Sequence, residues 1–87
     1  MEPGEYAVFV ETDVTTLVAR LSESDQEYIL VDLVMGLRRD PHAYGDVWMT
    51  MGDEVWRVLE IGPARLAFVV VDVRRTVTLV SLTMVAG

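Results

Sequence analysis

The chain contains no cysteine and no lysine, and it has a single histidine, His42. Without thiols there are neither disulfides nor thiolate metal sites, and one histidine among dispersed acids has no metal-ligand spacing. No metal and no cofactor is expected. No apolar run approaches the roughly 20 residues that span a bilayer, and the longest strand-like run is broken by Asp72, Arg74 and Arg75. The opening Met-Glu-Pro-Gly-Glu lacks the basic-then-apolar order of a signal peptide. The expectation is a cytoplasmic protein with no membrane association. Nucleophilic catalysis lacks a Ser-His-acid set, and Ser22, Ser24 and Ser81 have cap or strand explanations. The acid pairs Asp25/Glu27 and Asp53/Glu54 read as a helix start and a turn rather than as catalytic couples.

Positive charge is scarce and comes only from arginine. Seven arginines face fourteen acids, a net charge of −7, which works against non-specific attraction to nucleic acid. The imbalance is uneven: residues 1–54 hold twelve acids and three arginines, and residues 55–87 hold two acids and four arginines. At 87 residues the chain is one domain, 1–87. A domain this small buries only about two thirds of its unfolded surface, so a partner can add to its stability.

The most regular stretch runs from Trp56 to Asp72. Its bulky, β-branched and aromatic residues fill a pleated surface, and Gly62-Pro63 supplies a tight turn between two strands. Leu66, Phe68 and Val70 share one face, and Arg65, Ala67 and Val69 the other. A third strand, Thr76 to Val85, follows a short charged turn. Upstream, Glu5 to Val10 is a short strand, and Thr12 or Asp13 caps a helix with the stripe Val14, Leu17, Val18, Leu21. A second helix starts at Ser24 with Glu27 at capping-box spacing and ends at Arg38-Arg39 before Pro41. Its stripe is Leu30, Leu33, Val34 and Leu37, widened by Ile29 and Met35. Residues 42–54 are irregular, with room for a short extra strand. The predicted architecture is α+β: a small twisted antiparallel sheet covered on one face by a two-helix hairpin, in the order β-α-α-β-β-β.

That order resembles the RelE/ParE superfamily of toxin–antitoxin systems over nearly the whole chain. The resemblance rests on the opening strand and leucine-striped helix pair, on Arg39-Asp40-Pro41 with Tyr44-Gly45, on Trp56-Arg57, and on Ile61-Gly62-Pro63-Ala64-Arg65-Leu66. RelE-like members are basic, ribosome-dependent mRNA endonucleases that use lysines and arginines on the open sheet face and a Tyr or His near the C-terminus. ParE-like members inhibit DNA gyrase and do without that set. Here Arg65, and less closely Arg57, match such positions, and the end Ser81-Leu82-Thr83-Met84-Val85-Ala86-Gly87 offers no basic, Tyr- or His-bearing tail. The resemblance implies a toxin component with a degenerate ribonuclease site, in which Arg65 is the catalytic candidate, and an antitoxin-like partner. The alternative is a non-enzymatic interaction or regulatory module on the same fold.

The candidate binding residues are Arg57, Arg65, Arg74, Arg75, Trp48 and Trp56. Arg57 and Arg65 lie on one sheet face if the hairpin register pairs them, and two guanidiniums there suit a phosphate or carboxylate. The other reading is solvated arginines paired with Glu60 or helix acids. With Arg74-Arg75 at one end of the hairpin, they would favour an acidic protein segment over nucleic acid. Trp48, Met49, Met51 and Trp56 either anchor a partner or cap the open end of the core. His42 reads as an exposed loop residue. A homodimer is left open.

Overall fold

Ala64–Val71 is the strand on which both layers depend. It alternates core residues (Ala64, Leu66, Phe68, Val70) with Arg65, Ala67 and Val69, and of the eight residues only Arg65 is exposed. In the computed structural model, which describes residues 5–85, this is the fourth strand and the centre of a five-stranded sheet. The strands are β1 (Ala7–Val10), β2 (Asp46–Met51), β3 (Glu54–Ile61), β4 (Ala64–Val71) and β5 (Thr76–Met84), in the spatial order β1-β5-β4-β3-β2. The sequence readings at Met1–Gly4 and Ala86–Gly87 lie outside the described residues.

The fold is α+β, with two helices packed on the sheet as expected. The irregular segment supplies the extra strand, β2, which makes the order β-α-α-β-β-β-β. β2 to β5 form an antiparallel meander, but β1 pairs with β5 in parallel, with Val8 opposite Val77 and Val10 opposite Leu79, so the sheet is mixed. A parallel pairing needs a long crossover. Here the helices and three strands between β1 and β5 provide it.

Two glycines at positive φ make two of the meander's three turns, and Arg75 closes the third. Gly62, at φ 57°, begins the two-residue β3–β4 turn, and Gly52, at φ 59°, begins the β2–β3 turn. Two bulges adjust the side-chain alternation. One at Trp48 shifts the register between Val47 and Met49. The other falls at Val80, so that Leu79 and Leu82, three residues apart, both reach the core.

The helical layer differs from the sequence expectation in its caps and its stripe. Helix α1 (Thr12–Val18) begins after Glu11, which makes no side-chain cap, so neither Thr12 nor Asp13 serves. Helix α2 covers 23–39 without a break, as α-helical Glu23–Glu27, π-helical Tyr28–Leu33 and α-helical Val34–Arg39. Its cap is Ser22 rather than Ser24, with the hydroxyl accepting from the Asp25 amide at 3.2 Å. The buried stripe is Ile29, Leu33 and Leu37, spaced by four, and Leu30 and Met35 point outward at 51% and 53% exposure. A 3.6-residue helix would rotate a four-residue spacing off line. The wider π turn keeps it closer to one line. With Val14, Val18, Leu21 and Tyr6, this stripe covers one sheet face and forms the core with Leu66, Phe68, Val70, Val77 and Leu79.

Candidate functional site

Among the described residues, no helix or loop of the core layer covers the second sheet face. Cross-strand pairing places Glu60 with Arg65, Val58 with Ala67 and with Asp46, Trp56 with Val69 and with Met49, and Ala67 with Ser81 on it. A groove of about 790 Å³ runs across this face between Asp46 and Trp48 on one side and Ser81 and Thr83 on the other, floored by Val58 and Ala67. Trp48, in its bulge, is 60% exposed and meets Trp56 edge to face, with ring centroids 6.2 Å apart. Trp56 is held by its indole N–H, which donates to Glu54 Oε1 at 3.0 Å. The tryptophans therefore belong to the open face and do not cap the core cluster.

The four arginines do not come together. Arg57 stands opposite Phe68, on the helix side of the sheet, and is 8% exposed. Its Nε donates to the Tyr44 carbonyl and an Nη to the Gly45 carbonyl, both at 2.9 Å. The shared face of Arg57 and Arg65 is thus corrected. The two-residue Gly62-Pro63 turn pairs odd-numbered with even-numbered residues, so Arg57 falls with Phe68 and Leu66, and Arg65 with Glu60. That signal was present in the sequence. Arg57 ties the segment after α2 to β3 and cannot reach a ligand in the groove.

Arg65 remains on the open face, where Nη2 donates to Glu60 Oε1 at 3.1 Å. Both side chains are more than half exposed, so the pair is screened and contributes little to stability. In the groove Asp46 and Glu60 stand against Arg65, and at the far end Asp53 and Glu54 line a cleft with Arg74, so the charge of this face is acidic. Arg74 and Arg75 lie at the opposite end of β4 from Arg65. The basic sheet face expected from the sequence, and the acidic partner inferred from it, lose their geometric basis.

Arg75 belongs to a second cluster that local sequence patterns do not reveal. It takes a left-handed conformation, φ 54°, and its guanidinium lies 5.3 Å from the centroid of the Tyr6 ring. The Tyr6 hydroxyl donates to Asp72 Oδ1 at 2.5 Å, and His42 Nε2 lies 2.8 and 3.1 Å from the two Asp72 oxygens. An ionised carboxylate only accepts, so Nε2 carries the hydrogen. The Tyr6 bond, then that from His42, holds the Asp72 carboxyl below the ordinary carboxylate range. Burial, then the contact with Asp72, pushes the Tyr6 hydroxyl up. His42 is exposed, as expected, and Asp72 is its partner. It helps join the 3-10 turn Pro41–Ala43 to the turn Asp72–Arg74 and to the entry of β1. Among the described residues no group of three potential ligands could hold a metal ion, and no helix is long and apolar enough to cross a membrane.

Two helices on one side of an open, mixed five-stranded sheet, with the other side bare, define a small α+β class. Its solved members include the archaeal RelE–RelB complex of Pyrococcus horikoshii, with a TM-score of 0.82, 15% identity and coverage of 92% of this chain and 94% of that one. The toxin–antitoxin complex RelBE2 of Mycobacterium tuberculosis superposes with a TM-score of 0.71 at 17% identity, covering 99% and 98% of the two chains. A mutant of the E. coli toxin RelE in the free state gives 0.64 at 18%, covering 92% and 83%. The chain has the RelE toxin fold. No family model matches it, and no curated protein matches its sequence significantly.

Proposed function

We propose that this chain is the toxin-fold component of a toxin–antitoxin pair, with a degenerate ribonuclease site, and that its open sheet face binds an antitoxin-like protein rather than RNA. The carrying observation is the electrostatics of that face. The one guanidinium lining the groove, Arg65, is already held by Glu60, and Asp46 adds negative charge. Gripping RNA depends on neutralising phosphates, and activating a ribose hydroxyl needs a positioned acid and base. The carboxylates of Asp46 and Glu60 in the groove can accept a proton, but Arg65 and the hydroxyls of Ser81 and Thr83 supply no acid to work with them, since neither group gives up a proton near neutral pH.

A protein segment suits the surface better. Trp48 and Trp56 present an apolar anchor, and the acids around the groove favour a partner with basic residues at its rim. Two of the structural neighbours are toxin–antitoxin complexes, which supports a partner of the antitoxin kind. The second reading, a non-enzymatic interaction or regulatory module, draws on the same acidic face and differs in lacking any toxin role.

The test is to express the chain with the reading frame beside its gene and to assay the purified protein in a translation extract. The expected results are a stoichiometric complex, weakened by Trp48→Glu, and no cleavage of translated mRNA. Ordered mRNA cleavage that is abolished by Arg65→Ala would overturn the degenerate-site reading. A neighbouring product that does not bind would favour the non-toxin module.

A further inference from the structure

Helix α2 carries two apolar registers in one sequence. Leu30, Leu33 and Leu37, at spacings of three and four, follow the period of a regular α-helix. The structure buries Ile29, Leu33 and Leu37 instead and leaves Leu30 exposed. The π turn Tyr28–Leu33 makes the difference. Its hydrogen bonds run from i to i+5, so it holds one residue more than an α turn. With the end of the helix fixed, closing that turn to α geometry brings Leu30 to the place of Ile29. Each residue before it is likewise replaced by its successor.

Packing does not choose strongly between the two registers. Isoleucine and leucine are isomers, and a volume-conserving exchange of this kind is well tolerated in a core. The residues before the turn do choose. Gln26 donates from Nε2 to the carbonyls of Ala19 and Leu21, at 3.3 and 2.8 Å, and so clasps the connection between α1 and α2. In the other register Glu27 would take that place, and a carboxylate has no hydrogen to donate. Ser22, whose hydroxyl accepts from the Asp25 amide, would lose its capping position as well.

We propose that α2 is a register switch, held in its π register by the Gln26 clasp and released to an α register, with Leu30 in the core, when the clasp is broken. Close-packed interiors change between discrete arrangements rather than deforming continuously, and two packings of one helix are such a pair. The switch has a route to the open sheet face. Asp25 lies against the β3–β4 turn, so close that a Cβ on Gly62 would come within 2.5 Å of its Oδ2. The α register puts the neutral Gln26 there instead, next to the strand ends that carry Glu60 and Arg65. The switch itself does not depend on the function proposed for that face.

The chain has no cysteine, so a single introduced thiol reports its own burial through its rate of reaction with a thiol reagent. Ile29→Cys and Leu30→Cys are compared with Gln26 intact and with Gln26→Glu, which keeps the shape and removes the donors. With Gln26 intact, Leu30→Cys should react at least about tenfold faster than Ile29→Cys. With Gln26→Glu the order should invert. Leu33→Cys is buried in both registers and should stay slow in both backgrounds, which separates a change of register from a loss of fold. An order that Gln26→Glu leaves unchanged would overturn the proposal. Fast reaction at all three positions with Gln26→Glu would mean that the clasp holds the helix to the sheet rather than setting its register, and would overturn it equally.

Discussion

The Tyr6 hydroxyl and the Asp72 carboxylate, 66 residues apart in sequence, meet at 2.5 Å and join the entry of β1 to the end of β4. A hydrogen bond to a charged group is worth about 1.5–3 kcal/mol, and the half-exposed Asp72 places this one at the lower end. Tyr6→Phe should therefore cost about 1.5 kcal/mol in urea denaturation near neutral pH.

The same bond has a pH signature. Folding lowers the Asp72 pKa, so its contribution is fully present above the unfolded carboxyl value and is lost as pH falls through the folded one. The stability gap between wild type and Tyr6→Phe should narrow below about pH 4. On the alkaline side the Tyr6 pKa is raised, so its contribution holds below about pH 10 and is lost as pH rises through the folded value. A gap that widens in acid would contradict the assignment.

Arg57 predicts a purely structural phenotype. Arg57→Ala leaves the Tyr44 and Gly45 carbonyls without their donors and should cost about 3 kcal/mol. Arg57→Lys recovers only part of that, because an ammonium cannot reproduce the two-nitrogen fork. Partner binding by the residual folded protein should be unchanged, which an affinity measurement below the melting transition can check.

Gly36 reverses an ordinary expectation. Gly→Ala inside a helix normally stabilises by about 1 kcal/mol. Here a Cβ would collide with the hydroxyl end of Tyr44, which packs against the core. Overpacking costs about 1–3 kcal/mol, so Gly36→Ala should lower the melting temperature. In a Tyr44→Ala background the same change should raise it.

The π-helical turn can be probed by two leucines. Leu33 is fully buried, and Leu33→Asp should unfold the domain, because an unpaired buried carboxylate costs as much as a small domain's whole stability. Leu30→Asp, on the outer surface, should shift stability in dilute solution by no more than about 0.5 kcal/mol. Equal effects at both positions would mean that α2 is rotated from the orientation described.

Part of this protein is legible in its residues. Alternation along 64–71, the turn glycines at 52 and 62, the leucine-rich helical segments and the charge of −7 are local properties, and they determine the α+β class and the meander. The faces of β3 were also within reach, since a two-residue turn at Gly62-Pro63 puts Arg57 and Arg65 on opposite sides. What only the tertiary structure decided are contacts between distant segments. The parallel pairing of β1 with β5, the π turn that buries Ile29 in place of Leu30, and the meeting of Tyr6, His42, Asp72 and Arg75 depend on how the layers close. Periodicity reports which residues share a face. It carries no information about which other segment that face will meet, because that is set by the packing of the whole core.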